Sequence, residues 1–334
     1  MEKNRQILLK ERPRGLPCES HFEFVEVPVP KPGPSEVLVR TLYLTVDPYM
    51  RGRMSEAKSY ASPWKIGQVF GRDAVGQVVE SAHSGFRAGD YVLGSWGWQT
   101  YAAVAPDSLT KLDPGQAPIT TALGVLGMPG LTAYFGMLEI GRPKEGETVV
   151  VSAAAGAVGS VAGQIAKIYG ARVIGIAGSD EKIDYLREEL GFDDAINYKT
   201  SANLYEDLKK AAYRGVDVYF DNVGGKVSDA VLQLINRNAR IPICGQIAHY
   251  NETEPEPGPR VGRLLLSNTA LMQGFLVSQY ASRYPEGLKQ LAEWIKAGKI
   301  KYREHIVEGF ENTPKAFLGL FSGENIGKLL VKVG

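Results

Sequence analysis

The segment Val149-Val-Val-Ser-Ala-Ala-Ala-Gly-Ala-Val-Gly159 constrains this chain more than any other. An uninterrupted apolar run passes through small residues into a helical pattern, so a strand, a tight turn and a helix follow one another. Set against the Gly-x-Gly-x-x-Gly fingerprint of dinucleotide-binding βαβ units, it reads Ala154-x-Gly156-x-x-Gly159, with alanine in the first position. Gly156 lets backbone approach a pyrophosphate, and Gly159 lets the helix sit close to the strand. Ala157 and Val158 complete a helix start whose free amides and positive dipole end suit an anion. Small residues at such a turn also serve packing alone, so the surrounding pattern has to decide.

That pattern is repetitive from Gly146 onward. Strands are expected at 148–152, 171–177, 195–198, 216–220 and 240–244. Helices are expected between them at 160–169, 180–190, 203–212 and 227–236. Strands without polar alternation, each followed by a helix, imply a parallel sheet covered on both faces, with right-handed connections. Further elements are a strand at 270–277, a helix at 288–296 and a closing strand at 327–333. Residues 251–260, with three prolines, form a surface loop. Before residue 125 the chain reads differently. Short alternating stretches at 22–29, 36–44, 67–80, 91–94 and 100–105, broken by Gly and Pro, indicate an irregular β-rich domain or barrel. The segment 123–138 holds Pro129 and Gly130 and reads as a short or broken helix.

The tip of the second strand separates the two nicotinamide dinucleotides. An NAD site places an acid there to accept from the ribose 2′-hydroxyl. Here Ile176 is followed by Ala177-Gly-Ser-Asp-Glu-Lys182. Ser179 and Lys182 can hold a 2′-phosphate, which favours NADP(H). Two alternatives remain at this level: Ser179 is a helix N-cap with Lys182 solvated, or Asp180 itself reaches a ribose hydroxyl. The fourth and fifth strands end in Asp221-Asn-Val-Gly-Gly225 and Cys244-Gly-Gln-Ile-Ala-His-Tyr250, at the edge where such sheets bind ligands. Asn222 can bond a ribose or a carboxamide, and Tyr250 or His249 can donate a proton or hydrogen bond.

Composition narrows the classes. With 38 basic and 37 acidic residues the formal charge is +1, which argues against a broad nucleic-acid surface. No apolar run of about 18 residues suggests a membrane span. Two distant cysteines, Cys18 and Cys244, and four scattered histidines form no metal-binding or disulfide pattern, and a reducing, cytoplasmic compartment is the expectation. The aromatics Tyr49, Tyr60, Trp64, Trp96, Trp98 and Tyr280 are candidates for an apolar pocket or for ordinary core. Arg51, Arg53 and Arg72 are candidates for a carboxylate-bearing substrate or for structure.

Several motifs occur in order: Val46-Asp-Pro-Tyr-Met-Arg51, Ser152-Ala-Ala-Ala-Gly-Ala-Val-Gly-Ser160, Gly178-Ser-Asp-Glu-Lys182, Asn197-Tyr-Lys-Thr200, Phe220-Asp-Asn-Val-Gly-Gly225, Ile243-Cys-Gly245 and Gly323-Glu-Asn-Ile-Gly-Lys328. Together they make the chain resemble the medium-chain dehydrogenase/reductase superfamily in its zinc-free branch. More narrowly it resembles the NADPH-dependent leukotriene B4 12-hydroxydehydrogenases, also called prostaglandin reductases or 2-alkenal (double-bond) reductases. The resemblance implies an α/β fold: a Rossmann-type doubly wound parallel sheet at 126–299, and a GroES-like, partly opened β-barrel at 1–125 completed by 300–334.

It implies NADPH/NADP+ without metal, a small hydrophobic enone or enal as substrate, and a homodimer joined at open sheet edges. Neither nucleic acid nor membrane is implied as a partner. By the same resemblance Lys182 meets the 2′-phosphate, Tyr198 the adenosine side, and Asn222 and Asn325 the nicotinamide half. Phe275, Leu276 and Val277 lie by the nicotinamide ring, with Cys244 and Gly245 at the strand exit. Tyr250 is the site tyrosine, and Tyr49 faces the substrate pocket, for which Arg51 and Tyr280 remain candidates from the residues alone. Many relatives have Ser-Thr before the tyrosine, where this chain has Ala248-His249. The expected chemistry is hydride delivery to the β-carbon, with the enolate oxygen held by Tyr250 and a cofactor ribose hydroxyl. Quinone reduction and a non-catalytic NADPH-binding sensor are the alternatives.

Overall fold

In the computed structural model, which describes residues 2–334, the N-terminal half is built from β1 (Lys3–Leu9), β2 (Phe22–Pro28), β3 (Val37–Thr45), β4 (Asp73–Ser81), β5 (Tyr91–Ser95), β6 (Tyr101–Val104) and β7 (Thr110–Leu112). β1 escapes the alternation rule because one of its inward positions is Asn4. That side chain is buried, and its Oδ1 accepts from the Tyr101 amide at 2.9 Å. The strand expected at 67–80 begins only at Asp73, because Gly67 and Gly71 turn the chain with φ of 79° and 85°.

The second half starts with α1 (Met128–Phe135), followed by a π-helical turn at Gly136–Gly141. Pro129 does not break α1, since it sits in the first turn where no amide is needed. There follow β8 (Thr148–Ser152), α2 (Gly159–Ile168), β9 (Arg172–Ala177), α3 (Asp180–Asp184), β10 (Asp194–Asn197), α4 (Leu204–Ala211), β11 (Val216–Phe220), α5 (Gly225–Leu232), β12 (Ile235–Ile243), α6 (Gly262–Ser267), β13 (Leu271–Gly274) and α7 (Tyr284–Lys296). The chain closes with β14 (Glu304–Glu308), α8 (Thr313–Ser322) and β15 (Lys328–Lys332). The helix expected at 227–236 stops four residues early and the fifth strand starts at Ile235, bent where Asn238 takes φ 62°. The loop at 251–260 is present as expected, and α6 follows it.

Two units divide the chain. One comprises the residues up to Leu123 with Glu304–Asn325 and Leu329–Gly334. The other is Gly124–Arg303 with Ile326–Lys328, so the return stretch is split between them. In the first, β14-β15-β3-β4-β5-β7 form one sheet with β6 also on β3, and β1 pairs β2 antiparallel. Its core centres on Phe22, Phe70, Trp98 and Phe317 in ring contact.

In the second, six strands run in the order β10-β9-β8-β11-β12-β13, every pair parallel. This is the doubly wound order, with its crevice between β8 and β11. Alternate residues of one strand serve opposite faces: Val149 and Val151 pack with α1, α2 and α7, and Val150 with α4, α5 and α6. That two-sided burial explains why these strands lack polar alternation.

Candidate functional site

The glycine turn, the β9 tip and the segments that follow β11 and β12 lie at carboxyl ends of the parallel sheet. After β8 the chain turns through Ala153, with φ 47°, and α2 begins at Gly159. A Cβ on Gly159 would stand 2.4 Å from the Ala153 carbonyl oxygen and 2.9 Å from Ala154 Cα, so only glycine allows this approach. At Gly156 the added atom would lie 3.2 Å from the same oxygen. Ala157 and Val158 are half-buried at the tip. The Ser160 amide donates to Gly156 O at 3.0 Å, whereas, among the described residues, the amides of Ala157 and Val158, just before α2, donate to no backbone carbonyl. Gly327 forms a parallel bridge with Gly156 and donates its N–H to Ala155 O at 2.7 Å. The result is a cradle of small residues at a helix start, a fit for a diphosphate.

At the tip of β9, Ser179 is an N-cap: its Oγ accepts the Lys182 amide at 3.4 Å. Asp180 accepts from Asn197 Nδ2 at 2.7 Å, which commits one of its carboxylate oxygens within the protein. Lys182 is half-buried, and burial followed by the nearby charge of Lys199 pulls its pKa down. Like charges held this close fit a dianionic phosphate. Tyr198 is exposed, and its ring closes over Gly178, where a Cβ would meet Tyr198 Cε1 at 2.9 Å and Lys199 Cε at 3.2 Å. Gly178, Lys182, Tyr198 and Lys199 thus form one patch.

The exits of β11 and β12 hold a different arrangement, centred on a residue that sequence reasoning named only as part of a motif. Asp221 is 2% exposed. Its Oδ1 accepts from Tyr219 OH and from the amides of Val223 and Gly224, each at 2.9 Å, and from Ser152 Oγ at 3.3 Å. Its Oδ2 accepts from Ser228 Oγ at 2.6 Å and Gln246 Nε2 at 3.0 Å. Burial and Asp221 drive the Tyr219 pKa well above its usual value, and burial, then Asp221, pushes the Cys244 thiol up to about 12. Asn222 donates its Nδ2 to Ser152 O at 2.8 Å, which leaves Oδ1 to accept from a ligand.

Tyr250 is half-buried, and its hydroxyl accepts the Gln246 amide at 3.4 Å. A Cβ on Gly245 would lie 3.5 Å from that hydroxyl and 3.2 Å from Asn222 O, so Asn222, Gly245 and Tyr250 share one small region. His249 is occupied otherwise. Its Nε2 accepts the Gly225 amide at 3.1 Å, and its Nδ1 faces Glu252 Oε1 at 2.7 Å. Among the described residues His249, Glu252 and Glu256 are one trio whose ligand atoms come within 4.8 Å of each other. An imidazole accepting at Nε2 carries its proton on Nδ1, so the nitrogen facing the acids donates and is a poor metal ligand.

Other expected residues fall into packing roles. Phe275 is buried against Phe220, and a Cβ on Gly136 would meet its ring at 2.4 Å. Leu276 is exposed and Val277 half-buried just past β13. Tyr280 stacks on Phe135 with centroids 4.7 Å apart and rings 4° from parallel. In the β-rich unit Arg51 serves the backbone. It is 5% exposed and donates to Gly15 O at 2.7 Å, tying down the 13–15 loop. Burial, then Asp47 and Asp73, raises the Tyr49 pKa strongly, so its hydroxyl stays protonated. Trp64, Trp96 and Trp98 are core residues, and Tyr60 is exposed. Asn325 is half-buried in the turn leading to Ile326. A concavity of about 470 Å³ in this unit touches Trp96 but no titratable side chain, and an anionic nucleotide has no partner there.

Residues 5–112 match a family described as the N-terminal domain of oxidoreductase, and residues 157–295 match one described as zinc-binding dehydrogenase. The chain is 58% identical to a putative NADP-dependent oxidoreductase of Bacillus subtilis, over 98% of this chain and 97% of that protein. It is 47% identical to an NADPH-dependent curcumin reductase of Escherichia coli, over 99% of this chain and 97% of that one. The crystal structure of CurA from Vibrio vulnificus in complex with NADPH superposes with a TM-score of 0.94, at 47% identity and 99% coverage of each chain.

Proposed function

This chain belongs to the medium-chain dehydrogenase/reductase superfamily, in the family of prostaglandin reductases and 2-alkenal reductases, and on that premise we propose that it uses NADPH to reduce the carbon–carbon double bond of α,β-unsaturated aldehydes or ketones. The cofactor, when bound, supplies the hydride. In this reading Gly156, Gly159 and the α2 amides carry the diphosphate, and Lys182 with Tyr198 takes the 2′-phosphate. Asn222, Gly245 and the backbone after β13 border the nicotinamide half.

The observation that carries the reading is the Tyr250 hydroxyl, set beside Gly245 and Asn222 at the sheet's ligand-binding edge. Its oxygen accepts a hydrogen bond from the Gln246 amide, and a phenol hydroxyl is also a donor, the role this reading gives it toward a substrate carbonyl. A neutral phenol with pKa near 10 donates at pH 7, and its bond strengthens as charge moves onto the carbonyl oxygen. Hydride arriving at the β-carbon produces that enolate charge, and the α-carbon then takes a proton. A conjugated acceptor spreads its charge, so hydrogen bonds do the work that a Lewis acid does for alkoxides.

NADPH oxidation should be followed against a 2-alkenal, a cyclic enone and a small quinone. Turnover of the first two with reduced α–β carbons in the product is expected. Turnover of the quinone alone would replace this reading with quinone reduction. No cofactor binding at all would remove it.

A further inference from the structure

Asp221 is the only acidic residue of the sheet unit that is buried, among the described residues, and every hydrogen-bond partner it has there is uncharged. Among the described residues no lysine or arginine pairs with it. A carboxylate out of water is commonly paired with a cation, whereas here six donors from β8, β11, the turn after it, α5 and the β12 exit surround the two oxygens. Turn-building alone does not call for charge, since an asparagine in this position keeps acceptor capacity toward the amides of Val223 and Gly224.

The charge has an address. Asn222 adjoins it in sequence and Gly245 in space: Asn222 donates to Ser152, whose Oγ donates to Asp221, and Gly245 donates its amide to Asp221 O at 3.1 Å. On the reading above, the nicotinamide half of the cofactor borders these same residues. Its ring is neutral when reduced and cationic when oxidised.

We propose that Asp221 is an electrostatic positioning residue whose fixed negative charge favours the oxidised, cationic nicotinamide over the reduced one and thereby pushes hydride toward the acceptor. In the step, the C4–H bond of the dihydronicotinamide breaks with its electron pair and a C–H bond forms at the substrate's β-carbon. The ring becomes NADP+, and the enolate takes a proton from solvent at the α-carbon. The substrate is reduced by two electrons and NADPH is oxidised by two. Positive charge therefore grows on the ring in the transition state, and a nearby anion in a low-dielectric setting stabilises it more than the ground state.

The inference rests on the proposed function, and its test is a binding ratio rather than turnover. NADPH is titrated by the change in its fluorescence on binding, and NADP+ by competition against it. In Asp221→Asn the ratio of the NADP+ to the NADPH dissociation constant should rise about tenfold over the starting protein. An unchanged ratio overturns the proposal. Ser228→Ala removes one donor at 2.6 Å and keeps the charge, so its ratio should stay put. The same shift there would show that network geometry, not charge, is responsible, and overturn the idea. Should Asp221→Asn fail to fold, Gln246→Lys decides. It places an ammonium where the Gln246 amide lies 3.0 Å from Asp221 Oδ2, and the ratio must again rise. If the unsubstituted protein binds neither nucleotide, the cofactor reading has failed instead.

Discussion

The two ends of the sheet's ligand edge keep their residues in place by opposite means. At the β8–α2 turn and the β9 tip, backbone and like charge set the arrangement: backbone packs so closely that Gly159 admits no Cβ, and Lys182 sits near Lys199. At the exits of β11 and β12 the space is filled by side chains bonded to one another around Asp221. The first end suits binding of a charged group that does not change. The second suits chemistry, in which small displacements of a donor are costly.

Substitutions can break this contrast. Tyr250→Phe should have the largest effect, lowering kcat on an enone about 100-fold, roughly 3 kcal/mol, while NADPH binds as before. A parallel loss of cofactor affinity in calorimetric titration would mean that the two ends are not separable. Gly159→Ala forces a methyl group against the Ala153 carbonyl at 2.4 Å. It should cost about 2 kcal/mol of stability in denaturant unfolding and weaken both NADPH and NADH, because the cradle itself is displaced.

Smaller changes sharpen the contrast. Lys182→Ala should raise the NADPH dissociation constant about tenfold and leave NADH unchanged, as loss of one charge-assisted phosphate contact requires. Equal shifts for both nucleotides would dissociate Lys182 from the phosphate. Ser179→Ala should be mildest, at about 0.5 kcal/mol of stability from a long N-cap bond, with little effect on the ratio of NADPH to NADH affinity. A pronounced loss of NADPH preference there would make Ser179 a phosphate ligand as well as a cap.

The same contrast governs what the sequence made legible. The glycine turn, the missing acid after Ile176 and the apolar strands are local signals, and they led to the parallel sheet in its doubly wound order. The Asp221 network was invisible because its members, Ser152, Tyr219, Ser228 and Gln246, come from separate elements and share no period. The bond from Arg51 to Gly15 O was illegible for a related reason, since a guanidinium serving loop carbonyls has the same sequence signature as one awaiting a carboxylate. In the β-rich unit β14 and α8 went unread. α8 has ordinary cues, Pro314 in its first turn and Gly323 at φ 73° just past its end. β14 carries charge at both ends and a burial pattern with no fully buried position, so it offers no alternation to detect.

The bridge from Gly327 to Gly156 carries a further consequence. A Cβ on Gly327 would strike Arg303 O at 1.9 Å, so this late residue is fitted as tightly as the turn it meets. During synthesis the ribosome releases residues 153–159 long before residue 327 emerges. The nascent turn therefore waits, without its bridge partner, until residue 327 has emerged, and a message truncated shortly before codon 327 would yield a sheet whose cradle is never closed.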